Sequence, residues 1–327
     1  MAFRNICIVG PGAIGGMMAV MLSRAGFNVS TLGRARKAEA IALRGLTLRQ
    51  GGETLQARPK ATASVAKLGP QDLIVVTLKS NALPSVAAQL KALSNAPKFN
   101  PATPMVFAMN GVPWWFFDDF GGPLAGTRLK SLDPDGMLHA AVPEASIVWG
   151  VINCSVHELP DGSIQHTTGQ HLILGRPNDD PAGLDEIAEV FRAANYKTLV
   201  SANIRQDLWI KLLVNVTINP VSALTVATIK DMLAEPLVAE AIHAVAAEMR
   251  ALGLALGLDA GPDRFDRMKD AVVKTSMLQD LERGRPLELE SIVDAVVEIA
   301  ERCGVALPQT RQLAGLMRLR ARTAGLL

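Results

Sequence analysis

Apolar residues fall in short runs over the first third of the chain and in long periodic stretches over the last. "NICIV" (5–9), "NVSTL" (28–32), "DLIVVTLK" (72–79) and "PMVFAMN" (104–110) are runs of the kind buried in parallel sheets. Between them, residues 13–25 and "LPSVAAQLKAL" (83–93) have helical spacing, the first closed by Gly26. Strand alternating with helix predicts a parallel α/β sheet, with "TLQAR" and "ATA" as edge strands or connections. "SIVWGVINCSVHEL", "SIQHTT" and "HLILGRP" predict strands that extend the sheet in antiparallel fashion, turning at Asp161-Gly162. "GRPNDDPAG" (175–183) reads as a linker. Helices are predicted beyond it at 184–194, 204–219, 236–257, 262–283, 286–303 and 308–323, with one short strand, "KTLV". The expected organisation is an α/β domain over residues 1–180 and an all-α domain over 181–327.

Composition narrows the class. A chain of 327 residues suits two domains. With 49% hydrophobic and 20% charged residues it is globular rather than disordered. A formal net charge of +2 predicts no nucleic-acid partner, so any anion site must be local. Cys7, Cys154 and Cys303 are few, odd in number and far apart, which predicts reduced thiols and a cytoplasmic protein. No CxxC or Cys/His cluster suggests a metal, and His157, His166 and His171 fall on strand-like segments with no evident carboxylate partner. The apolar start, "ICIVGPGAIGGMMAVMLSRAG", is broken by Pro11 and glycines and ended by Arg24, so neither a membrane span nor a secretory signal is expected.

That same start carries chemistry. Gly10, Gly12 and Gly15 form G-x-G-x-x-G between a strand and a helix, enclosing Ala13 and Ile14. The first glycine permits a tight turn, the second lets a pyrophosphate approach the backbone, and the third lets helix and strand pack closely. The predicted first domain is therefore of the Rossmann type. The second strand ends without the Asp or Glu that would bind a ribose 2′-hydroxyl; Arg34, Arg36 and Lys37 follow it instead. A guanidinium suits a 2′-phosphate, so NADP(H) is the expected cofactor, with Arg34 as its best contact. Lys79 and Asn110-Gly111 end two further strands, at the edge where ligands sit in doubly wound sheets.

The helix predicted at 204–219 poses a different problem. Lys211, Asn215 and Asn219 recur at every fourth position within apolar sequence. A helix turns ~100° per residue, so the three form one polar stripe drifting about 40° per step. Leu208, Trp209, Leu212, Leu213 and Val216 cover the rest. Either a snorkelling lysine sits beside two capping amides, or the stripe faces a polar small molecule. Pro220 is expected to bend or end this helix. Further on, residues 274–290 carry Ser276, Gln279, Asp280 and Glu288, which periodicity alone reads as a helix surface and a helix start.

Taken together, "GPGAIGG", "VTLKS", Asn110-Gly111, "LWIKLLVNVTINP" and "TSMLQD" followed by "RPLELE" resemble the ketopantoate reductase family essentially end to end. The resemblance implies a Rossmann domain for NADPH and a helical domain over a small 2-oxo acid. It implies Lys211 as general acid and Glu288 as an acidic partner of substrate and lysine. It implies Asn215, Asn219 and Ser276 as substrate contacts, Arg34 and Lys79 as cofactor contacts, and Asn110 between nicotinamide and substrate. An unperturbed lysine, with a pKa of ~10.4, is a weak acid for this task, so burial would have to lower it. The segment "VPWWFFDDFGGPLAG" (112–126) departs from the pantothenate-pathway enzymes. It is expected either to reshape the pocket for another 2-oxo acid or to serve as packing. The alternatives are a reductase of a different 2-oxo acid, a related hydroxy acid dehydrogenase, or a catalytically silent NADP-binding sensor. Oligomeric state is left open, a homodimer included.

Overall fold

The computed structural model describes residues 3–95, 103–262 and 265–327. Packing divides the chain into two compact units, Met1–Met109 with Gly136–Ile204, and Asn110–Asp135 with Arg205–Leu327. A single cut at 180/181 therefore does not separate them. The Pro/Gly-rich stretch 175–183 lies inside the first unit, and residues 110–135 fold with the helices of the second.

The first unit opens as β1 (Asn5–Val9), α1 (Ala13–Arg24), β2 (Asn28–Leu32), α2 (Ala35–Arg44), β3 (Leu46–Gln50), β4 (Glu53–Ala57) and β5 (Lys60–Thr62). It continues as β6 (Leu73–Val76), α3 (Leu83–Asn95), β7 (Met105–Ala108), α4 (Met137–Ala141), β8 (Ile147–Glu158), β9 (Ile164–Gly175), α5 (Leu184–Ala193) and β10 (Lys197–Val200). Among the described residues these strands make one sheet in the order β4-β3-β9-β8-β7-β6-β1-β2-β5, with β10 also on β9. The stretch from β8 through β5 is parallel, and β8 and β9 pair antiparallel as expected. The two strands predicted at 163–168 and 171–177 are one strand. Gly169, at φ +73, kinks it where an added Cβ would stand 2.8 Å from the Asn153 carbonyl. Met17, Met18, Val20 and Leu22 of α1 and Ile187, Val190 and Phe191 of α5 pack with Ile6, Ile8, Leu73 and Val75 in the core.

The second unit contains α6 (Ile204–Thr225), α7 (Ile229–Ala234), α8 (Pro236–Ala255) and α9 (Ser276–Glu282), then a π-helical turn (Glu290–Asp294), α10 (Ala295–Cys303) and α11 (Pro308–Thr323). The helix expected over 262–283 is mostly irregular, with a 3₁₀ turn at Phe265–Met268 before α9; residues 263–264 lie outside the described residues. α6 does not end at Asn219 but runs through Pro220 to Thr225. It is long and apolar enough to cross a membrane, yet 67% of that apolar window is buried in protein, which makes it a core helix.

Candidate active site

The glycine turn is built as its spacing predicts. Gly10 has φ +85, and its N–H donates to the Leu32 carbonyl at 2.9 Å. A Cβ on Gly15 would stand 2.3 Å from Thr77 Oγ1 and 2.5 Å from the Gly10 carbonyl oxygen, so helix and strand meet with no space between them. Thr77 Oγ1 donates to that same Gly10 oxygen at 2.8 Å and holds the turn on β6. Gly12 is the opposite case: it is exposed, and a Cβ there would meet nothing within 4 Å. Gly12 caps α1, whose first turn, with Ala13 and Ile14 half-buried, carries no acidic residue. An open glycine before a dipole-positive helix end free of carboxylates fits a bound pyrophosphate.

Arg34 is exposed and forms the N-cap position of α2, which the sequence reads as a basic loop; Arg36 and Lys37 lie in its first turn. A groove of about 590 Å³ runs along α2, lined by Arg34, Arg36, Lys37, Arg44 and Arg49 among others. Lys37 pairs with Glu158, and Arg49 pairs with Asp161 at 2.8 Å, whereas Arg34, Arg36 and Arg44 enter no ion pair among the described residues. The uncompensated positive charge thus begins where a 2′-phosphate would need it. Lys79 is half-buried, three residues beyond β6, next to the 3₁₀ turn Ser80–Ala82. Gly10, Arg34 and Lys79 all follow the C-terminal ends of neighbouring parallel strands, which is where a doubly wound sheet holds ligands.

Every other predicted site residue belongs to the second unit. Lys211 and Asn215 are half-buried on α6, and Asn219, one turn on, is 6% exposed. The hydrophobic set Leu208, Trp209, Leu212, Leu213 and Val216 is buried, so the stripe is the polar face of a core helix. Ser276 is exposed at the first position of α9, where the preceding Thr275 caps the helix by accepting from the Leu278 N–H at 3.2 Å. Glu288 is half-buried just before the π turn, and its carbonyl accepts from the Ile292 N–H at 3.2 Å. Burial pushes the Glu290 carboxyl up, with Asp294 adding to the rise, and its Oε2 has no hydrogen-bond partner.

Asn110 is half-buried and opens the excursion into the second unit. Gly111, at φ +82, docks on the π turn so closely that a Cβ would stand 2.3 Å from Ser291 Oγ. The Val112 N–H donates to the Ser291 carbonyl at 2.8 Å. Asn110 is therefore anchored three residues past Glu288, a juxtaposition that no sequence spacing displays. Trp114, Trp115, Phe116 and Phe117 are all at most 2% exposed. The Phe116 ring lies 6.0 Å from Trp209, which points about 160° of helix rotation away from Lys211, the stripe residue nearest to it in sequence. The aromatic segment is core for this unit.

A strand–glycine turn–helix of this form seats a dinucleotide, and dinucleotides carry hydride chemistry; the chain is a dinucleotide-binding oxidoreductase. More closely, it belongs to the ketopantoate reductase family. Residues 6–114 match ketopantoate reductase PanE/ApbA, and residues 203–321 match the C-terminal part of the same family. The 2-dehydropantoate 2-reductase of Mesorhizobium japonicum is 37% identical over 303 residues, covering 90% of this chain and 91% of that one. A crystal structure of a candidate ketopantoate reductase from Ralstonia solanacearum MolK2 is 39% identical, covers 100% of both chains and superposes with a TM-score of 0.92. D-mandelate dehydrogenase, solved with NADH and anilino(oxo)acetate, shares the fold at TM-score 0.83 and 17% identity, over 99% of this chain and 100% of that one.

Proposed function

We propose that the protein reduces a 2-oxo acid to the 2-hydroxy acid with NADPH as reductant, 2-dehydropantoate to pantoate being the default reaction. The observation that carries this reading is the Lys211–Asn215–Asn219 stripe. A lysine and two amides on the polar face of a buried helix have a use if they hold a reacting carbonyl. Gly10, Gly12, Gly15, Arg34 and Lys79 would hold the cofactor, with Ala13 and Ile14 offering helix-end N–H groups to its phosphates. When bound, NADPH supplies the hydride that reaches the carbonyl carbon. Lys211 stabilises the negative charge that grows on the carbonyl oxygen and then gives it a proton, so the product gains one hydride and one proton. Asn215, Asn219, Ser276 and Asn110 orient the acid, and Glu288 holds the lysine and a substrate hydroxyl. The three scattered cysteines go with a cytoplasmic location. A second reading, a different 2-oxo acid, draws on the fold shared with D-mandelate dehydrogenase, which was solved with NADH and anilino(oxo)acetate.

NADPH oxidation followed against a panel of 2-oxo acids tests both readings, the preferred substrate being the one with the highest kcat/KM. Lys211→Ala should lower kcat by about 10²–10⁴-fold and leave NADPH affinity intact. An enzyme lacking Lys211 that keeps its kcat would refute the general acid. Arg34→Ala should cost about 1.5–3 kcal/mol of NADPH binding and little of NADH binding, and equal losses for the two cofactors would remove Arg34 from the 2′-phosphate site.

A further inference from the structure

Arg205 occupies the first turn of α6 and is 5% exposed, an unusual place for a guanidinium. Its Nε donates to the Phe116 carbonyl at 2.8 Å, and its Nη2 donates to the Asp118 carbonyl. Its guanidinium carbon lies 5.3 Å from the Trp115 ring centre and 5.6 Å from that of Phe120, within cation–π range. One side chain thus grips the backbone of the aromatic segment at two points and is roofed by its rings. The grip continues through Phe116, which packs on Trp209 one turn further along α6.

The other end of the same segment is clamped elsewhere. Gly111 and Val112 sit on Ser291 in the π turn, by the 2.8 Å bond and by a contact too close for any side chain. Residues 111–118 therefore form a short strap between two elements. One is α6, which carries Lys211 six residues, or roughly 9 Å of helix, beyond Arg205. The other is the π turn, which follows Glu288. Asn110 is the next residue out from the strap's Gly111 end.

We infer that Arg205 is a positioning residue: through the strap it sets Lys211, Glu288 and Asn110 in one frame. The inference rests on the proposed roles of those three residues. Aromatic burial alone gives the strap cohesion, but rings pack in many registers, whereas a fork of N–H groups on two particular carbonyls fixes one. A lysine at 205 would keep the charge and the stem but, as a point donor, would not hold both carbonyls in that geometry.

The test compares Arg205→Lys, Arg205→Met and Gly111→Ala, the last perturbing the strap from its other end, with Lys211→Ala as reference. Each is assayed for kcat and KM of the preferred 2-oxo acid, the pH profile of kcat, NADPH Kd and Tm. A displacement near 1 Å of a reacting group costs about 10²-fold, so Arg205→Lys should lower kcat by about 10–100-fold and shift the alkaline limb of the profile. NADPH Kd should stay within about twofold, because the residues proposed for its phosphates and ribose, Gly10, Gly12, Arg34 and Lys79, belong to the other unit. The double variant Arg205→Lys/Gly111→Ala should lose less than the product of the single losses, since both act through one strap. A lower Tm with an unchanged kcat, KM and pH profile in Arg205→Lys and Gly111→Ala would overturn the inference, leaving Arg205 a packing residue. Multiplicative losses in the double variant would overturn it too. If Arg205→Met does not fold, the other two variants decide. A Lys211→Ala enzyme with near wild-type kcat would overturn the underlying reading instead, whatever Arg205 does.

Discussion

Gly12 and Gly15 stand one helical turn apart and answer to opposite constraints. Gly15 is closed in by Thr77 Oγ1 at 2.3 Å and the Gly10 oxygen at 2.5 Å from any Cβ, so Gly15→Ala must push α1 off the sheet. Overpacking of this kind costs about 1–3 kcal/mol, and Tm should fall whether or not cofactor is present. Gly12 has open space around it and a negative φ of −80, so Gly12→Ala should change the cofactor-free Tm far less than Gly15→Ala does. Its methyl would instead occupy the approach of a pyrophosphate, and the stabilisation by saturating NADPH should shrink. Differential scanning fluorimetry with and without NADPH separates the two; a normal NADPH shift in Gly12→Ala would move the pyrophosphate away from this turn. The glycines were legible in sequence because a spacing and a strand–helix context specify them. So was the Lys211 stripe, because helical period puts its members on one face. Arg205 and Ser291 were not legible. A lone arginine before an apolar helix reads as surface charge, and its partners here are backbone carbonyls, which leave no trace in side-chain pattern.

Among elements, β1, β2 and α11 were read to the residue, whereas the continuous Val/Ile/Leu run read as a strand over 72–79 is a strand only at Leu73–Val76. The sequence reading omitted α2 and β3, because "ARKAEAIALR" opens in a basic run that reads as a solvated loop and "LTLRQ" is short and edge-like. Pro220 misled for a definable reason. It removes one N–H from the α6 ladder, but the residues around it are buried, and packing on both sides holds the helix through the gap. The link between α10 and the loop at 128–133 gives a pH test. Glu298 accepts from the backbone N–H groups of Lys130 and Ser131, each at 2.9 Å, and from Arg302 at 2.7 Å. Burial pushes its carboxyl up, but the Arg302 guanidinium and those N–H groups outweigh it and hold the carboxyl below its ordinary value. A lowered folded pKa means stability that is present above the unfolded value, ~4.3, and lost as pH falls through the folded one. Glu298→Gln should therefore be less stable than wild type by about 1–3 kcal/mol at pH 7, and the gap should narrow only as pH falls below the unfolded value of ~4.3. Urea titrations in steps from pH 7 down to about pH 2 measure it, and a gap independent of pH over that range would mean the carboxylate charge is not what holds the loop.

At the scale of the whole molecule, the chain enters the second unit twice, first at Asn110–Asp135 and finally at Arg205. Sequence reading missed the first entry because "PWWFFDDF" has no period of its own; its apolar residues are core only relative to helices that begin some ninety positions later. This has a consequence for any attempt to isolate the helical part. A fragment of residues 181–327 contains every predicted helix of that part, together with Lys211, Ser276 and Glu288. It lacks Trp115, Phe116 and Phe117, each 0% exposed in the intact chain, and it leaves Arg205 and Trp209 without the carbonyls and rings they pack on. Losing one buried Phe or Trp side chain costs about 3–5 kcal/mol, and three are missing against a total domain stability of about 5–15 kcal/mol. The fragment should keep helical far-UV circular dichroism but lose near-UV signal and bind a hydrophobic dye, without a cooperative thermal transition. Within the full chain, Trp115→Ala removes a single one of these rings. It should lower Tm and leave the ranking of 2-oxo acids by kcat/KM unchanged, because the cluster packs on the face of α6 away from Lys211. A ranking reordered by substrate size in a well-folded Trp115→Ala enzyme would return the aromatic segment to the substrate pocket, and with it the choice of a 2-oxo acid other than 2-dehydropantoate.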